Sequence, residues 1–418
     1  MPLHRPSRSP LARPVRTAPR RRPVVLTAAA LAGLLAAAPL LPDRDTPRPQ
    51  AQTVDRPGTM TATQGKVDKR MQAEIDRVVG EGLRQPRATA RTTPGLMAAS
   101  QVRCADFEGQ TYCLGQGWTS KSEGALQREV AREVAAEAAR RTPVESTGDL
   151  SVAEELRQRA AMSPRARAKL EREELTTAAK SVAKVWLLRH EIEGIPLPAG
   201  FARRHPEARL AQGRSGADGM RLTAGKTARD YPQRATVVSS KRVSEQIRSY
   251  WCGPGAMQMI GWGWSGTKLS QSTWADRLGT TRSGTAITRM VAATNRYTGW
   301  DRADRAGTYI TLDISRYSFD KWWLLMMRHI EDYRAPVILH PLLYKKWFPY
   351  LDDNASGHFQ MGRGYDKNGA DRNLISYFEP WNQKRFDPSE PYIKRLQWQP
   401  AYNSFRANKA HPQQNLGV

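Results

Sequence analysis

"SEQIRSYWCGPGAMQM", residues 244–259, decides how the rest of the chain is read. It holds Cys252, one of three cysteines in 418 residues, with Gly253-Pro254 directly after it and Gln246 six residues before. Proline fits the first turn of a helix, where its missing N–H costs nothing. The stretch therefore predicts a helix opening at or just after Cys252, with Ala256, Met257 and Ile260 on its apolar face. Gly253 and Gly255 let the backbone turn sharply and let another chain come close. A thiol at a helix N-terminus meets free N–H groups and the positive end of the helix dipole, which favour the thiolate. The thiolate is the attacking species in cysteine catalysis. The alternative is a packed, inert thiol.

A nucleophilic thiolate needs a base and a site for the oxyanion. His4 lies in the first segment, His190 and His205 in a helical middle, and His411 near the end. His329 belongs to the apolar helix "WWLLMMRHIEDY" and His340 to a short strand beside proline. His358, in "NASGHFQMGRGYD", opens a strand after Ser-Gly, where a ring can face a cleft, and is the candidate general base and acid. The following strand ends in "YFEPWNQ", and hairpin pairing returns its end beside His358. Glu379 is then the candidate that orients the imidazole, with Asn382 as the alternative third member. Gln246 can point its amide at the same carbonyl oxygen as the Cys252 N–H, which makes an oxyanion hole.

The surrounding text predicts short helices first and an antiparallel sheet afterwards, hence an α+β class. "LSQSTWADRLGTT" and "SGTAITRMVAATNRYTG" read as helices, the latter with Ile287, Met290, Val291 and Thr294 on one face. "TYITLDI" and "APVILHP" read as strands, and "GHFQMGRGYD" and "LISYFEPW" as an antiparallel pair. Ten of the twelve tryptophans lie between Trp251 and Trp398, which places the best-packed core there.

These residues resemble the papain-like clan, and more closely the bacteriocin-processing peptidases that cut after double-glycine leaders. The matching pieces are Gln246, Cys252, Gly253 and Pro254, a helix after them, then "RAPVILHP", "GHFQMGRGYD" and an acid-Pro at a strand end, over roughly residues 240–385. The family has Asp before that proline, where this chain has Glu379. The family's transporter half has no counterpart, so its leader-peptide substrate is not carried over. The resemblance implies a papain-like fold, with a Cys-bearing helix packed on a His-bearing antiparallel sheet, and thiol-hydrolase chemistry.

Upstream, residues 65–88 predict an amphipathic helix with Met71, Ile75, Val78 and Val79 on one face. Residues 122–141 and about 165–193 predict further helices, and Ser151 with Glu154 forms a capping-box signature. Cys104 and Cys113 flank a turn at Glu108-Gly109 and predict a disulfide between two strand-like arms. They lack the nearby Cys or His pair that a zinc site needs. The sequence thus calls for no metal and no cofactor, and it leaves Cys252 unpaired.

Residues 1–22 contain seven arginines and no acid, and an apolar run from Val24 to Leu41 follows. That pattern predicts an export signal or an N-terminal membrane anchor. The usage of Arg, Ala, Gly and Pro suits a high-GC bacterium. The net charge of +25 is spread, at +7 over 1–50, +7 over 51–230 and +11 over 231–418. No dense basic block or nucleic-acid motif stands out, so no specific nucleic-acid partner is expected.

The expected organisation is residues 1–50 as signal or anchor, 51–205 as a mainly helical auxiliary or propeptide region, 206–237 as a linker, and 238–418 as the papain-like domain. The expected function is an exported thiol hydrolase, secreted or anchored at the outer face of the cytoplasmic membrane, cleaving a peptide or protein substrate. The alternatives are a cell-wall amidase or transpeptidase of related fold, with a cell-wall polymer as partner, and an inactive papain-like binding module. Membrane contact is expected only through the N-terminal segment.

Overall fold

The strands that carry the site belong to one large sheet, which reaches well beyond the region where the sequence places the catalytic domain. The computed structural model describes residues 59–85, 92–140, 144–210, 226–368, 373–388 and 393–418. The expected export segment and residues 211–225 of the expected linker lie outside them. Residues 54–418 form a single compact unit.

In chain order the strands are β1 (Met60–Ala62), β2 (Cys104–Phe107), β3 (Gln110–Cys113), β4 (Gly117–Thr119), β5 (Ala208–Leu210) and β6 (Arg234–Thr236). They continue as β7 (Thr311–Asp313), β8 (Val337–Leu339), β9 (Gln360–Asp366), β10 (Leu374–Phe378), β11 (Leu396–Pro400) and β12 (Asn415–Gly417). The large sheet runs β11-β10-β9-β8-β12-β7-β4-β3-β2, with β6 also paired to β9. All its pairings are antiparallel except β4 with β7. β1 and β5 form a separate pair.

Helices form where the sequence spacing asks for them. Lys69–Arg84 buries Met71, Ile75, Val78 and Val79, and Asp68 caps its start by accepting the Met71 N–H at 2.8 Å. Glu123–Ala139 is the Ala- and Glu-rich helix. Val152–Ala161 is capped by Ser151, which accepts the Glu154 N–H. The expected helix over 165–193 breaks at Ser181 into Pro164–Lys180 and Val182–Leu188, and a π-turn follows at Arg189–Glu193. In the C-terminal half, Gln271–Leu278 stops at Gly279 in the left-handed conformation, and Ile287–Tyr297 buries Ile287, Met290, Val291 and Thr294.

Cys104 and Cys113 are directly opposite on β2 and β3 and form a disulfide. Glu108 and Gly109, both at positive φ, make the turn between the arms.

The sequence separates a helical middle from a catalytic domain, but the two share one core. Seven of the ten C-terminal tryptophans are buried, and Trp118 of β4 is buried in the same apolar cluster as Trp274 and Trp322. Polar ties cross the same boundary. The Thr61 hydroxyl donates to the Ala306 carbonyl at 2.6 Å, and the Tyr333 hydroxyl to the Met60 carbonyl at 2.9 Å. Strands of three residues show no readable alternation, so their place in the sheet cannot be seen from spacing. Among the described residues, no helix is long and apolar enough to cross a membrane.

Candidate active site

The helix at the centre of the site is Cys252–Ser265, and its first ten residues are all buried. Trp251 at its N-cap makes no side-chain cap, so the first N–H groups stay available. The backbone N–H groups of Gly253 and Phe359 lie near the Cys252 sulfur and favour its thiolate. The second of these ties the thiol to the residue directly after His358. A Cβ at 253 would stand 2.6 Å from the Thr285 hydroxyl, closer than the packing allows without a shift, and one at 255 would make a tight 3.1 Å contact with the Pro380 ring.

His358 precedes β9 and is buried, with its backbone N–H donating to the Pro341 carbonyl at 2.9 Å. Phe378 of β10 pairs with Met361 of β9, so the chain emerging from β10 brings Glu379 back to His358. Glu379 Oε1 lies 2.7 Å from His358 Nε2. The carboxylate also accepts from the Trp381 N–H at 2.9 Å, the Gln360 amide at 2.7 Å and the Tyr350 hydroxyl at 3.4 Å. Burial pushes the Glu379 pKa up, but the His358 charge and these donors outweigh it and hold it below the usual glutamate value. The other ring nitrogen of His358, Nδ1, is buried and has no hydrogen-bond partner among the described residues. Asn382 stands elsewhere, capping the short helix Gln383–Phe386 by accepting the Arg385 N–H at 3.2 Å.

The thiol departs from expectation in its ionisation. Cys252 is fully buried, and burial, joined by the Asp149 carboxylate, pushes its pKa well above the ordinary value. The two N–H donors oppose this without overcoming it. In this conformation Cys252 is a thiol, whereas the helix N-terminus alone argues for a thiolate.

Gln246 is also buried, and its backbone N–H donates to the Pro380 carbonyl at 2.7 Å, which joins the cysteine side of the site to the glutamate side. Its side-chain amide donates to the carbonyls of Ser249 at 2.8 Å, Arg248 at 3.0 Å and Thr147 at 3.3 Å. The amide that sequence reasoning reserves for an oxyanion is thus engaged by backbone carbonyls, one of them from the middle region.

The sequence reading missed two groups. Gln360 lies two residues after His358, and the period of a strand could have pointed to it as a neighbour on the same face. The second group is Asp149, His340 and His411, whose candidate ligand atoms lie within 4.8 Å of one another. Its composition suits a metal, but its contacts are those of a hydrogen-bonded network. His340 Nε2 meets Asp149 Oδ1 at 2.8 Å, and His411 Nε2 meets Oδ2 at 2.9 Å. His411 Nδ1 accepts the Gln413 N–H, which leaves the ring proton on Nε2, facing the carboxylate. Asp149 is held ionised: burial pushes its pKa up, and the two histidines pull it below the usual range.

Residues 231–407 match the family model described as Peptidase_C39 like family. The match supports a papain-like domain of the C39 type over this segment. No curated protein and no solved structure matches the chain. The C39-like segment contains Gln246, Cys252, His358 and Glu379, whereas Asp149, His411 and strands β2–β4 and β12 lie outside it. A cavity of about 990 Å³ lies away from these four residues, among Trp118, Leu150, Arg159, Glu174, Arg289 and Tyr309.

Proposed function

We propose that the chain is an exported thiol hydrolase that cleaves peptide bonds through an acyl-enzyme. The supporting observation is the division of labour on the His358 ring. Nε2 is held by Glu379, while Nδ1 is left unpartnered among the described residues, next to Phe359, whose backbone N–H lies near the Cys252 sulfur. In this reading His358 Nδ1 takes the thiol proton as the sulfur attacks the substrate carbonyl. The tetrahedral oxyanion is held by the Cys252 N–H and the Gln246 amide. The amine then leaves with the proton from His358, and water attacks the thioester with His358 again acting as base. Glu379 fixes the tautomer and ring orientation and stabilises the imidazolium.

The arginine-rich start and apolar run of the first fifty residues, with the disulfide, support export. The net charge of +25 favours an anionic neighbour and gives weight to a second reading, a cell-wall amidase or transpeptidase with the same Cys–His pair. The test is hydrolysis of a peptide library and of purified peptidoglycan, monitored by mass spectrometry. Cleavage of peptides that is lost in Cys252→Ala and His358→Ala supports the peptidase. Activity confined to peptidoglycan assigns the amidase. No turnover of either, with Cys252 reacting like an ordinary free thiol once accessible, rejects the enzyme reading.

A further inference from the structure

Cys252 and His358 are each 0% exposed, and what covers them includes a piece of this chain from far upstream. Residues Glu145–Leu150 run between two walls, with single β-bridges at Glu145 to Ala355 and at Asp149 to Thr285 and a bend at Gly148. On one wall the Ser356 N–H donates to the Glu145 carbonyl at 2.9 Å, the Thr147 N–H to the Ser356 hydroxyl at 3.1 Å, and the Thr147 hydroxyl to the Gly357 carbonyl at 2.6 Å. Gly357 is the residue before His358. On the other wall the Thr285 N–H donates to the Gly148 carbonyl at 2.9 Å, and the Leu150 N–H to the Thr285 carbonyl at 3.0 Å. Between these contacts, the Thr147 carbonyl accepts from the Gln246 amide.

Glycines make the approach possible. A Cβ on Gly148, which sits at φ +108°, would stand 2.3 Å from the carbonyl carbon of Tyr250, two residues before Cys252. A Cβ on Gly284 would stand 2.3 Å from the Gly148 carbonyl oxygen, and one on Gly357 2.2 Å from the Asp149 carboxylate. Backbone is thus packed on backbone, as when a peptide adds to a strand edge. The Thr147–Gly148 peptide spans from the residue before His358 to the residues before Cys252, with its carbonyl on the proposed oxyanion donor. Asp149 then anchors the segment through His340 and His411.

We propose that Glu145–Leu150 is a built-in occupant of the Cys252–His358 cleft, which keeps the site closed and marks the track along which an extended peptide substrate binds. Its Thr147–Gly148 bond takes the place of the bond to be attacked. The second half of this inference rests on the peptidase reading, while the first half does not. Opening the cleft requires this segment to withdraw, which removes the Thr147 carbonyl from Gln246 and opens that position to a substrate carbonyl, while the amide keeps its bonds to the Ser249 and Arg248 carbonyls.

The test is the rate at which iodoacetamide alkylates Cys252 in the full chain, where it is the sole cysteine outside the disulfide. The unaltered protein should react far more slowly than a free thiol, and labelling at the free-thiol rate would overturn the inference. Gly148→Ala and Asp149→Asn should each raise the rate roughly tenfold or more, the factor that about 1.4 kcal/mol of local opening free energy gives. Thermal melts identify which variant is folded, and either one suffices. A synthetic peptide of residues 144–151 should restore protection to the opened variant, and a scrambled peptide should not. A folded variant that labels no faster, or one that the peptide fails to protect, overturns the inference. Faster labelling with peptide protection but no peptide hydrolysis keeps the closed cleft and removes the peptidase reading, so the two failures are distinct.

Discussion

His358 has two ring nitrogens in opposite surroundings, and the proposed chemistry depends on that contrast. Nε2 faces a carboxylate with three further donors around it, and Nδ1 faces no protein acceptor among the described residues. Glu379→Gln keeps the size of the side chain but removes the charge and leaves the tautomer unspecified. We expect kcat to fall by roughly 10²- to 10⁴-fold with KM changed little, because the group acts through the imidazole rather than on substrate. Steady-state kinetics of the opened protein check this, and a loss confined to KM would place Glu379 in binding instead. This pair was legible because each residue carries a local sign: a strand start after Ser-Gly for His358, and an acid-Pro at a hairpin end for Glu379. Asp149, His340 and His411 carry no such sign. They converge from three distant parts of the chain, and no spacing announces them. The high pKa of Cys252 was hidden for a related reason, since a helix N-terminus can be read from sequence but the segment that buries it cannot.

At the scale of elements, amphipathic helices and the β9–β10 hairpin follow the sequence pattern closely, because burial of one face enforces the period. The β2–β3 hairpin was also legible, through two cysteines placed evenly about a Glu-Gly turn. Its place in the large sheet was not, since β4 joins β7 through the single residue pair Trp118 and Leu312. The disulfide closes a short loop, so its entropic contribution is about 2–3 kcal/mol. Replacing Cys104 and Cys113 together by Ser should lower the urea midpoint by that amount of free energy. Because the hairpin belongs to the same sheet as the site, the loss should appear as one cooperative transition on far-UV circular dichroism and tryptophan fluorescence. An early separate transition would show instead that β2–β4 unfold on their own.

At the scale of the whole molecule, two buried histidines on opposite sides of the sequence boundary contribute in opposite senses to the pH dependence of stability, alongside Glu145, which burial and nearby acids raise to about 7. His411 is packed against Asp149 and His340. Burial, with the His340 charge, lowers its pKa to about 4, although Asp149 pulls the other way. The unfolded chain, with a histidine pKa near 6.5, then binds more protons than the folded one between about pH 6.5 and 4. The contribution of His411 is complete above about 6.5 and is lost as pH falls toward 4, a change of order 3 kcal/mol. His205 behaves oppositely. Burial lowers its pKa, but hydrogen bonds and charge from Glu108 and Glu207 outweigh this and raise it to about 9. Its contribution is complete below about 6.5 and is lost as pH rises through 9. Melting temperature should therefore peak near pH 6–7 and fall on both sides. His411→Asn should flatten the acid limb and His205→Gln the alkaline limb, each leaving the other in place. The two limbs also differ at the site. Burial and the His340 charge make the protonated His411 ring favour solvent, which draws it out of the packing around residues 145–150, so Cys252 labelling should accelerate as pH falls from 6.5 to 4, after correction for the intrinsic reactivity of the thiol. Loss of His205 acts on the Glu108 turn and β5, away from the cleft, and should leave that corrected rate unchanged.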